Sequence, residues 1–387
     1  MHQTILIVDD NKEFSILVEY AFQKQVEEKE YILLFAKNGL EALDMIEEHP
    51  EIHLVVTDVS MPEMDGLTML ERMNEHNPHI KSIVISGYSN MEYIRRAMNA
   101  GASDYLIKPV SLGDLEESII KTMNKVDVVR DALRSRDRLM QLERDLVIAG
   151  EIQRAMLPQR YPAFPDRAEF DIAAALMPAR EVGGDFYDFF MIEDNYLGFV
   201  IGDVTGKGIP AALLMALTRT LIRSYAMQGK PANETMSLVN NTLAIDNKLA
   251  MFATTFFGVM EVSSGIVEYC NAAHVPPVVL RANGTLEPCE GMGGMALGML
   301  ENMPYKVDKL QLHKGDSLVI FTDGITDASN AEREMFGMPR IIDTLQGQHI
   351  HNANTIMMNM LETVTKYAGN EEQTDDIAVQ IIKYTKS

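Results

Sequence analysis

Cysteine is scarce in this chain. The 387 residues contain two, Cys270 and Cys289. They lack metal-ligand spacing and make no disulfide framework, so they read as small buried or half-buried thiols in a reducing compartment. Basic residues are also in deficit, 34 Lys and Arg against 56 Asp and Glu, for a formal net charge of −22. That balance excludes the basic footprint of a nucleic-acid partner and argues against docking on anionic membranes. No uninterrupted apolar run is long enough to span a bilayer. The N-terminus, MHQTILIVDD, begins a strand almost at once and has no signal-peptide pattern. A soluble, cytoplasmic protein is expected.

Glycine and proline vanish over one stretch. No Gly lies between Gly113 and Gly150, and no Pro between Pro109 and Pro158. Charged residues are dense there. Val126, Val129 and Leu133 keep one 3-4 spacing, and Leu139, Leu142, Leu146 and Ala149 keep another, with a slip of register between them. The stretch reads as a long linker helix. A dimeric coiled coil is the preferred form, and a single helix packed on its neighbours the alternative.

What is present divides around that helix. Up to about residue 120, short continuous apolar runs (Ile5–Val8, Tyr31–Phe35, Leu54–Thr57, Ser82–Ser86, Tyr105–Ile107) alternate with helix-length segments. Continuous runs of Val, Ile and Leu are how strands buried on both faces read. Five such units imply a doubly wound α/β parallel sheet, with ligands at the carboxyl ends of its strands. From about residue 165 the strands lengthen and segregate from the helices, which predicts an α+β sandwich flanked by helices. The expected domains are 1–122, a helical linker over 123–157, and 158–387.

Aspartates cluster in six short motifs. In the first half, Asp9 and Asp10 follow ILIV, Asp58 follows LVVT, and Ser86 and Lys108 also fall at strand ends. Phosphoryl chemistry on an aspartate needs a carboxylate nucleophile (Asp58), acids to hold a hard cation (Asp9, Asp10), a positive point charge (Lys108) and a hydroxyl donor (Ser86). With VDD, TDVSMPEMDG, SGYS and LIKP in order, this stretch resembles a response-regulator receiver domain. The resemblance implies phosphorylation of Asp58 by a sensor histidine kinase, Mg²⁺ at Asp9, Asp10 and Asp58, and a relay through Ser86 and Tyr105. Asp65 in MPEMDG reads instead as a turn leading into a helix.

The second half carries GGDFYD (Asp185), GDVTGKG (Asp203), FTDGITD (Asp323) and TDDIAV (Asp375, Asp376). Four carboxylates converging from separate strands repel one another unless cations lie among them. Two divalent ions about 3.5–4 Å apart fit such a set, for attack on a phosphate monoester. GDVTGKG is no nucleotide P-loop, because its spacing is one short and Gly208 stands where Ser or Thr is required. His274 in NAAHVPP has the chemistry of a general acid or ligand, but reads as a satisfied, half-buried histidine. Arg180, before GGD, has the fork to hold a phosphate, the alternative being a plain exposed charge.

From EIQRAMLP, at about residue 148, to the C-terminus, these motifs resemble the PPM-type (type 2C) serine/threonine phosphatases of the bacterial sporulation and stress-response branch. The resemblance implies two Mn²⁺ or Mg²⁺ ions bridged by Asp203, with the Val204 carbonyl assisting. Asp323 and one of Asp375 and Asp376 hold one ion, Asp375 being the better candidate, and Asp185 acts through coordinated waters. It also implies a phosphorylated anti-sigma-factor antagonist as substrate. The expectation is a response regulator whose output is a phosphatase, switched at Asp58 through the seating of residues 149–157. The competing reading is a non-catalytic adaptor whose partner binding is gated by the receiver.

Overall fold

The computed structural model describes residues 3–289 and 293–386. The chain forms two compact units, Met1–Gln141 and Leu142–Ser387. The first contains β1 (Gln3–Val8), α1 (Lys12–Ala21), α2 (Gln23–Glu27), β2 (Tyr31–Ala36), α3 (Gly39–Glu48), β3 (Ile52–Asp58), α4 (Gly66–His76), β4 (Lys81–Ser86), α5 (Met91–Asn99) and β5 (Asp104–Ile107). The strands form one parallel sheet in the order β2-β1-β3-β4-β5. Their apolar runs are continuous because both faces are covered. Leu6, Val8, Val55 and Val84 pack into one core with α3 and α4, while Ile5, Ile7, Leu54, Val56, Ile83 and Ile85 pack into the other with Val18 and Phe22. Asp65 is the N-cap of α4, accepting from the Leu67 and Thr68 amides at 3.0 and 2.9 Å, as its turn chemistry predicts.

A single helix of 45 residues, α6 (Leu112–Met156), follows. The slip in its apolar spacing does not break it. Val126 is buried, Leu139 and Leu142 are exposed, and Leu146 and Ala149 are half-buried. The side chains of Val129 and Leu133 lie outside the described residues.

The second unit contains β6 (Phe170–Met177), β7 (Phe186–Ile192), β8 (Tyr196–Val204), α7 (Ile209–Ala226), α8 (Ala232–Ala244), β9 (Ala253–Glu261), β10 (Ile266–Ala272), β11 (Val278–Leu280), β12 (Leu286–Pro288), β13 (Asp308–Gln311), β14 (Ser317–Phe321), α9 (Asp323–Thr326), α10 (Gly337–Leu345), α11 (Ala353–Ala368) and β15 (Ile377–Tyr384). Two antiparallel sheets, β13-β10-β9-β8-β7 and β12-β11-β14-β15-β6, face each other. Phe186, Phe199, Phe256 and Phe257 of one share a core with Leu318, Ile320 and Ile382 of the other. Helices α10 and α11 cover the outer face of the second sheet through Ile341, Leu345, Ile356 and Met360, and α7 and α8 pack on the first. This is the expected helix-flanked sandwich. Three strands were not legible, the short β12 and β13 and the long β7: β7 reads as an acidic motif because Asp188 interrupts its apolar run, yet Asp188 is fully buried.

Candidate active site

In the first unit the parallel register delivers the site. Val8 pairs with Thr57, and Asp58 with Ile85, so the ends of β1, β3 and β4 lie side by side. Asp9 and Asp58 are buried and Asp10 is exposed. One ligand atom from each of the three lies within 4.8 Å of the others. Gly66 is required here, since a Cβ on it would lie 2.0 Å from the Asp58 carbonyl oxygen. Lys108 Nζ sits 2.7 Å from Asp58 Oδ2 and 3.4 Å from Asp9 Oδ2. Burial pushes the Asp9 carboxyl up, against the opposing pull of the Asn11 amide and Lys108. Burial alone would lower Lys108, but its contacts with Asp58 and Asp9 outweigh that and raise it.

Ser86 is fully buried and does not face Tyr105 directly. Both instead hold Tyr88: Ser86 Oγ accepts from the Tyr88 amide at 3.1 Å, and Tyr105 Oη donates to the Tyr88 carbonyl at 2.8 Å. The Tyr88 ring stacks on Tyr93 with centroids 4.5 Å apart. Tyr88, which joins the two, was not singled out from the sequence, although it stands in the SGYS motif.

In the second unit each sheet contributes a pair of acidic ends. Phe186 pairs with Gly202, so the next register position sets Asp185 opposite Asp203. Phe321 pairs with Val379, which carries Asp323 to the start of β15, beside Asp375 and Asp376. Asp185 is buried and its Oδ2 accepts from Thr322 Oγ1 at 2.6 Å, joining the two sheets. Burial first, then the Asp203 charge, holds the Asp185 carboxyl well above the usual range. Asp203 is pushed up to about 6 by burial and then by Asp323. Asp323, open to solvent along one side, is raised by partial desolvation and by Asp327 and Asp375. Among the described residues, no three of these acids meet as tightly as Asp9, Asp10 and Asp58. Ligands spread over two ions enclose a wider shell than ligands on one. An all-oxygen set that raises its own pKa values is one that suits hard cations.

The TDD pair divides its work. Asp376 is buried and commits both oxygens to backbone amides, Oδ1 to Ala179 at 2.8 Å and Oδ2 to Gly184 at 2.7 Å. A Cβ on Gly183 would lie 1.9 Å from Asp376 Oδ2, and one on Gly184 would lie 2.6 Å from the Val204 carbonyl oxygen. The double glycine thus brings the Asp185 loop against both. Asp375 is half-exposed and faces Lys207 at 3.4 Å. Arg180 is exposed, next to Ala179. His274 is fully rather than half buried. Its Nδ1 lies 3.1 Å from Thr254 Oγ1, and burial lowers it to about 4, so it is neutral. Gln153 of α6 was not singled out from sequence. Its amide brackets Gly183, donating to the carbonyl at 2.7 Å and accepting from the N–H at 3.1 Å.

Known proteins match both units of the chain. Residues 193–385 match the family described as Stage II sporulation protein E (SpoIIE), and residues 5–120 match the response regulator receiver domain. Protein IcfG of a Synechocystis species is 32% identical over 318 residues, 73% of this chain and 49% of that protein. The phosphoserine phosphatase RsbU of Bacillus subtilis is 26% identical over 227 residues, 58% of this chain and 66% of that protein. The chain thus spans about half the length of the first relative and about two thirds of the second. The solved SiaA-PP2C domain of Pseudomonas aeruginosa shares the fold, with a TM-score of 0.56 and 22% identity over 64% of this chain and 98% of that one. The chain belongs to the response regulators, with a receiver domain at its N-terminal end and a SpoIIE/PP2C-type phosphatase domain at its C-terminal end.

Proposed function

We propose that this chain is a metal-dependent phosphatase that removes phosphate from serine or threonine of a partner protein, under the control of Asp58 phosphorylation by a sensor histidine kinase. The observation that carries the reading is the meeting of Asp185, Asp203, Asp323 and Asp375 from four separate segments, which Lys207 alone does not balance. The name of the relative RsbU supports phosphoserine as the scissile group. A phosphorylated anti-sigma-factor antagonist is the substrate class that the family resemblance favours.

Asp203, the Val204 carbonyl, Asp323 and Asp375 would hold two Mn²⁺ or Mg²⁺ ions, with Asp185 acting through coordinated waters and Asp376 anchoring the loop that carries Asp185. Such ions supply Lewis acidity and lower the pKa of bound water. Arg180 binds the substrate phosphate at the edge of the site. Thr322 fixes the orientation of Asp185 by its hydrogen bond. In the receiver, Asp9, Asp10 and Asp58 would hold Mg²⁺, and Lys108 would neutralise the phosphoryl group. The Gln153 bracket on Gly183 ties the end of α6 to the loop before Asp185, which gives helix movement a route to the site. Exposed Leu139 and Leu142 favour a homodimer through α6.

The test is Mn²⁺-dependent release of phosphate from phosphoserine peptides, with and without an acyl-phosphate donor. Wild type hydrolyses them, Asp203→Asn does not, and Asp58→Ala loses the response to the donor. Partner binding that responds to the donor without any hydrolysis would establish the adaptor reading instead.

A further inference from the structure

Asp188 is the most deeply buried charge that the proposed chemistry does not use. Its side chain is 0% exposed. Arg219 approaches Oδ2 at 2.9 Å, and Arg223 donates to both oxygens at 3.0 Å. Both arginines belong to α7, one turn apart, and Arg223 also lies over the Phe190 ring at 4.8 Å. The Asp188 carbonyl accepts from Gln380 of β15 at 3.2 Å.

Those bonds join three of the acid-bearing segments. Asp188 stands three positions after Asp185 on β7. Gln380 stands on the strand that begins just after Asp375 and Asp376. Helix α7 begins just after the loop that follows Asp203, and Lys207 in that loop bonds the Thr374 carbonyl and pairs with Asp375. The entry to α7 is a glycine turn that leads into Pro210 in the first turn of the helix. Gly206 and Gly208 both take positive φ, 90° and 75°, and the helix has no side-chain cap. Its inward face is apolar (Ala211, Met215, Ile222, Ala226) but for Thr218, whose hydroxyl bonds the Leu214 carbonyl within the helix, and apolar contacts are non-directional. Directional, charge-assisted bonds do not slide. A buried ion cluster adds little stability over apolar packing of the same volume, so its use here calls for a geometric reason.

We propose that Asp188, Arg219 and Arg223 are positioning residues that set α7 and the Val204–Gly208 loop against Asp185, and so fix the spacing of the metal-binding acids. The proposal rests on the phosphatase reading for its effect on turnover, but not for its effect on metal binding. The triple variant D188L/R219M/R223M replaces the cluster with apolar side chains. It is expected to melt within a few degrees of the full-length wild type, to bind Mn²⁺ about tenfold more weakly by calorimetry, and to lose kcat with little change in KM. Should the triple variant fail to fold, R223M keeps Asp188 paired with Arg219 and is expected to weaken Mn²⁺ binding several-fold. Wild-type Mn²⁺ affinity in a folded triple variant, or in R223M, overturns the proposal. A wild type that binds Mn²⁺ yet releases no phosphate overturns the phosphatase reading alone, because the titration still measures positioning. A wild type that binds no Mn²⁺ overturns both.

Discussion

At Asp203 the proposed metal-holding role and folding stability oppose each other. Its carboxyl, near 3.8 in the unfolded chain, rises to about 6 in the folded one, through burial and then Asp323. A raised folded pKa means that the folded state holds the proton more tightly. The contribution is full below the unfolded pKa and is lost as pH rises through about 6. Metal-free protein is therefore expected to lose stability between pH 4 and pH 7 as Asp203 gives up its proton beside Asp185. Asp203→Asn removes that loss. The variant should be inactive yet melt higher than wild type at pH 7.5 without metal, and added Mn²⁺ should close the gap. Equal melting temperatures in the absence of metal would contradict this. His274 acts in the opposite sense. Buried and neutral, with its pKa lowered to about 4, it resists a proton that the unfolded chain accepts near 6.5. Its contribution is full above about 6.5 and is lost as pH falls towards 4. In His274→Gln, urea midpoints at pH 7 and pH 5 should lie closer together than in wild type.

At the scale of elements, loops joined to strand ends do the positioning. The double glycine before Asp185 has no room for a side chain, because Asp376 and the Val204 carbonyl occupy it. Gly183→Ala should displace Asp376 and lower phosphate release by more than tenfold, about 1.4 kcal/mol or more in the barrier. Gln153 connects a helix to that loop by two hydrogen bonds. Gln153→Ala leaves a buried N–H and C=O unpaired and should cost about 1–3 kcal/mol. It should also blunt the difference in rate that an acyl-phosphate donor makes, while Mn²⁺ binding persists. A full donor response in folded Gln153→Ala would remove Gln153 from the coupling. Parallel strands β1, β3 and β4 were legible because each run is short, continuous and β-branched. Strand β7 was hidden, since a charge in the middle of an apolar run ordinarily faces water.

For the whole molecule, the two units have separate cores, one pair around the parallel sheet and another within and beside the sandwich. Leu142–Ser387 expressed alone should therefore fold cooperatively, bind Mn²⁺, and be indifferent to the acyl-phosphate donor. Circular dichroism melting and phosphate release would check both halves of that expectation. Sequence by itself determined the acid-bearing strand ends, the parallel sheet and the helix-flanked sandwich, because hydrophobic period and turn chemistry are local properties. Tertiary structure alone decided which carboxylate meets which partner. Asp375 and Asp376 are adjacent in sequence, yet one faces Lys207 and the other grips Ala179 and Gly184. Asp188 is held by arginines on a helix beyond the next strand, and Ser86 and Tyr105 meet through Tyr88. Such partners lie many residues apart along the chain, where no periodic pattern reaches, and only folding brings their charges and dipoles close enough to act.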